Sequence, residues 1–112
     1  MAFTGDGKAL RVYIGEADHW QGKPLYQAIV ELLRAEGLAG ATVLRGVAGF
    51  GANSRLHTAH LLRLSQDLPL VIETVDRAEQ IAAVLPRLKE MVQQGLITLA
   101  DVEIVHDGGA GG

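Results

Sequence analysis

The chain has 112 residues, a formal net charge of −3 and no cysteine, which excludes disulfides, thiolate zinc sites and cysteine nucleophiles. Its 48% hydrophobic content is enough for one buried core, while no run approaches the ~20 apolar residues of a membrane-spanning helix. Without a signal-peptide pattern at the start, the reading is a soluble cytoplasmic protein.

Along the chain, KALRVYIG alternates Leu10, Val12 and Ile14 with Arg11 and Tyr13, the period-two mark of a half-buried strand. EADHWQGK is a polar connection, and Pro24 suits the first position of a helix. Leu25, Ala28, Ile29, Leu32 and Leu33 follow at helical spacing until Gly37. ATVLRGVAGFG is read as a second strand and LPLVIETVD as a third. Asp76 with Glu79 resembles a capping box opening a helix through Ile81, Val84, Leu85, Leu88, Met91 and Val92, which Gly95 ends. Pro86 within it predicts a kink or a break into two pieces. The final strand comes from ITLADVEIVH. The order βαββαβ predicts an α+β, ferredoxin-like fold, an antiparallel sheet with both helices on one face. It forms a single domain over residues 8–106, with flexible termini at 1–7 and 107–112.

One connection does not fit a minimal fold. About fifteen residues, from Gly51 to Ser65, join neighbouring strands for which a hairpin of ~2–5 residues would suffice. Glycine is in excess at 14 residues, and three of them, Gly46, Gly49 and Gly51, crowd the base of this loop in RGVAGFGANSR. The stretch from Gly37 to Gln66 carries Arg45, Arg55 and Arg63 with no carboxylate, in an otherwise acidic chain. Closely spaced glycines can turn backbone N–H groups inward as an anion-binding concavity, with a flanking arginine adding a charge-assisted contact. The same glycines also fit a strand ending in a bulge and turn. The spacing G-x-x-G-x-G is neither a dinucleotide fingerprint nor a Walker loop. Micromolar affinity needs ~8 kcal/mol, so a ligand here needs further walls, such as a neighbouring subunit.

Other chemistry is weaker. His57 and His60 lack acidic companions for a zinc site and read better as polar or interface residues. Ser54 lies near His57 but outside any G-x-S-x-G turn. Glu16 with Asp18, and Glu73 with Asp76, read as solvated or capping carboxylates rather than acid–base pairs. Nucleic acid would call for a more basic patch with stacking aromatics, and only 4% of residues are aromatic.

Three segments, VYIGEADHWQGKPLYQAIV, GLAGATVLRGVAGFGANSRLHTAHLLRLSQDLPLVIETVD and MVQQGLITLADVEIV, closely resemble the bacterial and archaeal domain-of-unknown-function family 190. That family resembles a branch of the PII-like signalling superfamily. The resemblance spans roughly Lys8 to Val105 and is most specific in RGVAGFGANSR. It implies a non-enzymatic signalling protein, a homotrimer of ferredoxin-like subunits. Adenine nucleotides (AMP, ADP or ATP) would lie in intersubunit clefts at the base of the loop after strand two. By position, Gly46, Gly49, Phe50, Gly51, Ala52, Asn53, Ser54 and Arg55 would form that base, with Arg45 as an adjacent anion contact. The alternative is a pure protein-interaction module for a membrane channel or transporter, such as a fluoride-channel-like partner. MVQQGLIT departs from the glycine- and lysine-rich loop of classical PII proteins, and the long loop has no tyrosine to accept a uridylyl group.

Overall fold

The computed structural model describes residues 4–51 and 67–108. Four strands form an antiparallel sheet: β1 (Gly5–Gly15), β4 (Thr42–Arg45), β5 (Pro69–Asp76) and β6 (Leu96–Ile104), in the order β4-β5-β1-β6. A small hairpin of β2 (His19–Trp20) and β3 (Lys23–Pro24) lies between β1 and helix α1 (Leu25–Ala35). Helix α2 (Ala78–Met91) connects β5 to β6. This is the expected ferredoxin-like arrangement.

The alternation of β1 divides the sheet. Leu10, Val12 and Ile14 are buried on one side with Leu70, Ile72 and Thr74 of β5. Leu25, Ala28, Ile29, Leu32 and Leu33 of α1 and Ile81, Val84, Leu88 and Met91 of α2 complete that core. Burying each leucine, isoleucine, valine or methionine side chain contributes about 1.5–3 kcal/mol against the unfolded chain, which offsets much of the conformational entropy lost. Thr74 is the one buried polar residue of the core among the described residues, and its Oγ1 donates to the Gly40 carbonyl at 2.5 Å.

Helix α1 starts one residue later than expected, with Pro24 as its N-cap. It ends where Gly37 N–H donates to Arg34 O and Leu38 N–H to Leu33 O, a closing pattern that buries Leu38. The polar connection before it is more ordered than its composition indicates. Gln21 and Gly22 both take positive φ, 49° and 86°, as a tight two-residue hairpin turn requires, and Trp20 packs against the core.

Several boundaries differ from the sequence reading. β1 begins at Gly5, so residues 5–7 belong to the sheet rather than to a loose terminus. Gly7 is closely packed, since a Cβ there would meet Ile104 Cδ1 at 2.7 Å. β4 stops at Arg45 instead of running through the glycine segment, because the next position opposite on β5 is Pro69, which has no N–H for the ladder. The capping box does not form: Arg77 is the N-cap without a side-chain bond, and Asp76 instead accepts from Arg77 N–H and, across the fold, Ala39 N–H. Helix α2 runs unbroken through Pro86 and ends at Met91, four residues before Gly95. The segment HLLRLS, expected to extend a strand, and the loop beyond Gly51 lie outside the described residues.

At the far end of the sheet Lys8 pairs with Asp101, whose carboxyl is held below its ordinary value of 3.8 by that hydrogen bond and charge. A lowered folded-state pKa adds stability above pH 3.8 that is lost as pH falls through the folded value. NMR titration of Asp101 should therefore give a midpoint below 3.8, returned to that value by Lys8→Met. In the core, Leu10 is fully buried. Leu10→Ala should lower unfolding free energy by about 2–5 kcal/mol in urea titration, through lost transfer energy plus the cavity left behind.

Candidate functional site

At one end of the sheet three connections converge. The turn after β1 supplies Gly15 and Asp18, the segment after β4 supplies Gly49, Phe50 and Gly51, and the loop after α2 supplies Gln93, Gln94 and Gly95. Together with Tyr13, Ile14, Asp67, Pro69, Leu70 and Leu96 they line a cleft of about 640 Å³, within the usual size of small-molecule sites.

Local chemistry explains how each wall is held. Glu16 N–H donates to Leu68 O at 2.8 Å, Ala17 N–H to an Asp67 carboxylate oxygen at 3.1 Å, and Gly15 N–H to Asp18 at 2.9 Å. Both aspartates are thus built into the turn as backbone acceptors, which fits the capping role read for Asp18. Gly46 N–H donates to Pro69 O at 2.7 Å, and a Cβ on Gly46 would lie 2.8 Å from Pro69 Cγ. The glycine segment therefore passes directly over the proline ring, and Gly49 follows with positive φ. Phe50 then projects with 73% of its surface exposed.

The structure brings together Gly49, Phe50 and Gly51 on the cleft wall. Gly46 supports that wall from behind, with its N–H already engaged by Pro69. Arg45 does not line the cleft; its guanidinium is paired with Glu16, an exposed contact worth about 0–1 kcal/mol. Ala52, Asn53, Ser54 and Arg55, like His57 and His60, lie outside the described residues. Among the described lining residues there is no cation: the charges are Asp18 and Asp67, beside the amides of Gln93 and Gln94. No group of three or more metal-ligating side chains occurs among the described residues. Likewise, no described helix is long and apolar enough to cross a membrane.

Sequence reasoning missed the half of the cleft made by Tyr13, Asp67, Pro69 and Gln93 to Leu96. The available signal was Gly95, read as a helix stop. A Cβ there would meet Tyr13 O at 2.5 Å and Val92 Cγ1 at 2.7 Å, so the loop after α2 can lie against β1 only with glycine at this position. Gly95→Ala should consequently cost about 1–3 kcal/mol. Calorimetric melting should show a midpoint lower by several degrees.

Comparison with known proteins agrees with this fold. The model of the DUF190 family, described as Uncharacterized ACR, matches residues 7–104. A UPF0166 protein of Aquifex aeolicus is 38% identical over 99 residues, covering 88% of this chain and 93% of its own. Another, from Methanocaldococcus jannaschii, is 39% identical over 98 residues, covering 87% and 90%. Among solved structures, CPII of Thiomonas intermedia K12, a nitrogen regulatory PII-like protein bound to ADP, AMP and bicarbonate, superposes with a TM-score of 0.69 at 17% identity. That superposition covers 93% of this chain and 91% of CPII. A Thermus thermophilus structure described as a putative PII-like signalling protein gives a TM-score of 0.63 at 17% identity, covering 91% of each chain.

Proposed function

The chain belongs to the DUF190 family and has the PII-like fold, and from this premise we propose that it is a PII-like regulatory protein that binds an adenine nucleotide in the cleft between its three converging loops. The observation that carries the reading is the placement of Gly49, Phe50 and Gly51, the segment that the sequence singles out, on the wall of a cleft of about 640 Å³.

The described wall suits one end of such a ligand. Phe50 and Tyr13 offer aromatic faces for a base, and stacking of this kind contributes ~1–3 kcal/mol per base. Asp18, Asp67, Gln93 and Gln94 accept hydrogen bonds from an amino group or ribose hydroxyls. Phosphate charge has no cationic partner on the described wall. It would be met by Arg55, which follows the segment in sequence, and by side chains of neighbouring copies. The protein is accordingly proposed to act as a homotrimer with its clefts between subunits. The helix-free sheet face supports self-association: Leu44, Leu96, Val75 and Tyr13 stay exposed on it at 53%, 56%, 41% and 38%.

The reading requires no covalent chemistry. Binding signals only if the nucleotide favours one arrangement of the segment after β4 over another, because a ligand with equal affinity for both shifts nothing. Calorimetric titration with AMP, ADP, ATP and cyclic nucleotides, with and without bicarbonate, should give micromolar binding to at least one. Phe50→Ala should weaken it about tenfold. Silence with every nucleotide overturns the proposal and leaves a module that answers only to a protein partner.

A further inference from the structure

The sheet register arranges the helix-free face in rows. One row runs Leu44, Val71, Tyr13, Leu96, and another runs Val75, Ala9, Ala100. Between them lies the row Thr42, Glu73, Arg11, Thr98, polar at every position. Arg11 and Glu73 are the only charged residues that the paired, described strands place on this face. Arg11 Nε donates to Glu73 Oε2 at 2.7 Å, and the two side chains remain 47% and 34% exposed.

This row restricts what can cover the face. The apolar rows favour burial, but a uniformly apolar cover would strip water from the remaining guanidinium N–H groups and the second Glu73 oxygen. A suitable cover must carry donors and acceptors in a narrow stripe between apolar bands. A second copy of the same chain meets that requirement, since its own row is neutral overall and holds one cation and one anion.

We propose that the row Thr42–Glu73–Arg11–Thr98 is the specificity element of self-association, and that Arg11 of one copy faces Glu73 of the next and sets the register in which copies meet. The inference rests on the homo-oligomeric reading above and adds to it the residues that choose the partner. Ion pairs desolvated at an interface discriminate strongly, because removing one member strands the other and a wrong partner juxtaposes like charges.

The test is sedimentation and native mass spectrometry of the full chain. The set comprises wild type, Arg11→Leu, Glu73→Leu and the charge swap Arg11→Glu/Glu73→Arg, each checked for folding by circular dichroism and melting. Each single change should weaken association by about 100-fold or more, and the swap should recover it to within about tenfold. Mixed wild-type and swapped chains should sort into separate assemblies, which a merely structural role for the pair would not produce. A monomeric wild type overturns the self-association reading itself. An assembled wild type whose single variants assemble equally well, or which mixes freely with the swapped chain, overturns only the role of the row.

Discussion

Strand β1 is the constraint on which the other features depend. Its eleven residues pair with β5 on one side and β6 on the other, so its position sets the register of both. Side chains at alternate positions leave opposite faces. Leu10, Val12 and Ile14 therefore anchor the helices, while Ala9, Arg11 and Tyr13 build the face without helices. The end of the strand is equally consequential, since the turn after Gly15 forms one wall of the cleft.

That turn also holds both stems of the long connection. Arg45, at its entry, is paired with Glu16, and Asp67, at its exit, accepts from Ala17 N–H. Both stems are therefore tied to the same four residues, 15–18, two of which line the cleft. This is a short set of contacts between the turn and the two stems of the connection. It is built from one exposed ion pair and a few backbone hydrogen bonds, contacts worth about 1 kcal/mol each and easily rearranged. The core above it, packed from fully buried Leu10, Ile29, Leu33 and Leu88, has no comparable freedom.

Much of the fold was legible because it follows from local periodicity. The β1 alternation and the helical spacing of Leu25, Ala28, Ile29, Leu32 and Leu33 each place apolar groups on one face, and the structure buries those groups. Local rules failed where a distant residue intervened. ATVLRGVAGFG has the composition of a longer strand, but regular pairing ends at Arg45, because Gly46 donates to Pro69 O and Pro69 has no N–H to return. Asp76 has the spacing of a capping box, yet Ala39 N–H, 37 residues away, takes one of its oxygens. In the candidate site Gly49, Phe50 and Gly51 were legible as a glycine-rich cluster beside an overlong loop. Tyr13, Asp67 and Gln93 were not, since each looks like an ordinary strand or loop residue until tertiary packing brings it there.

By itself, then, the sequence determined the element order, the core-facing residues and the glycine-crowded segment after β4, because period, turn chemistry and glycine crowding act over a few neighbouring residues. Only the tertiary structure decided the composition of the cleft and of the polar row. Both are assembled across strands and loops up to about ninety residues apart, where hydrogen-bond register and close backbone approach choose the neighbours. The same reason accounts for Arg45, whose charge was visible in the sequence and whose partner, Glu16, was not.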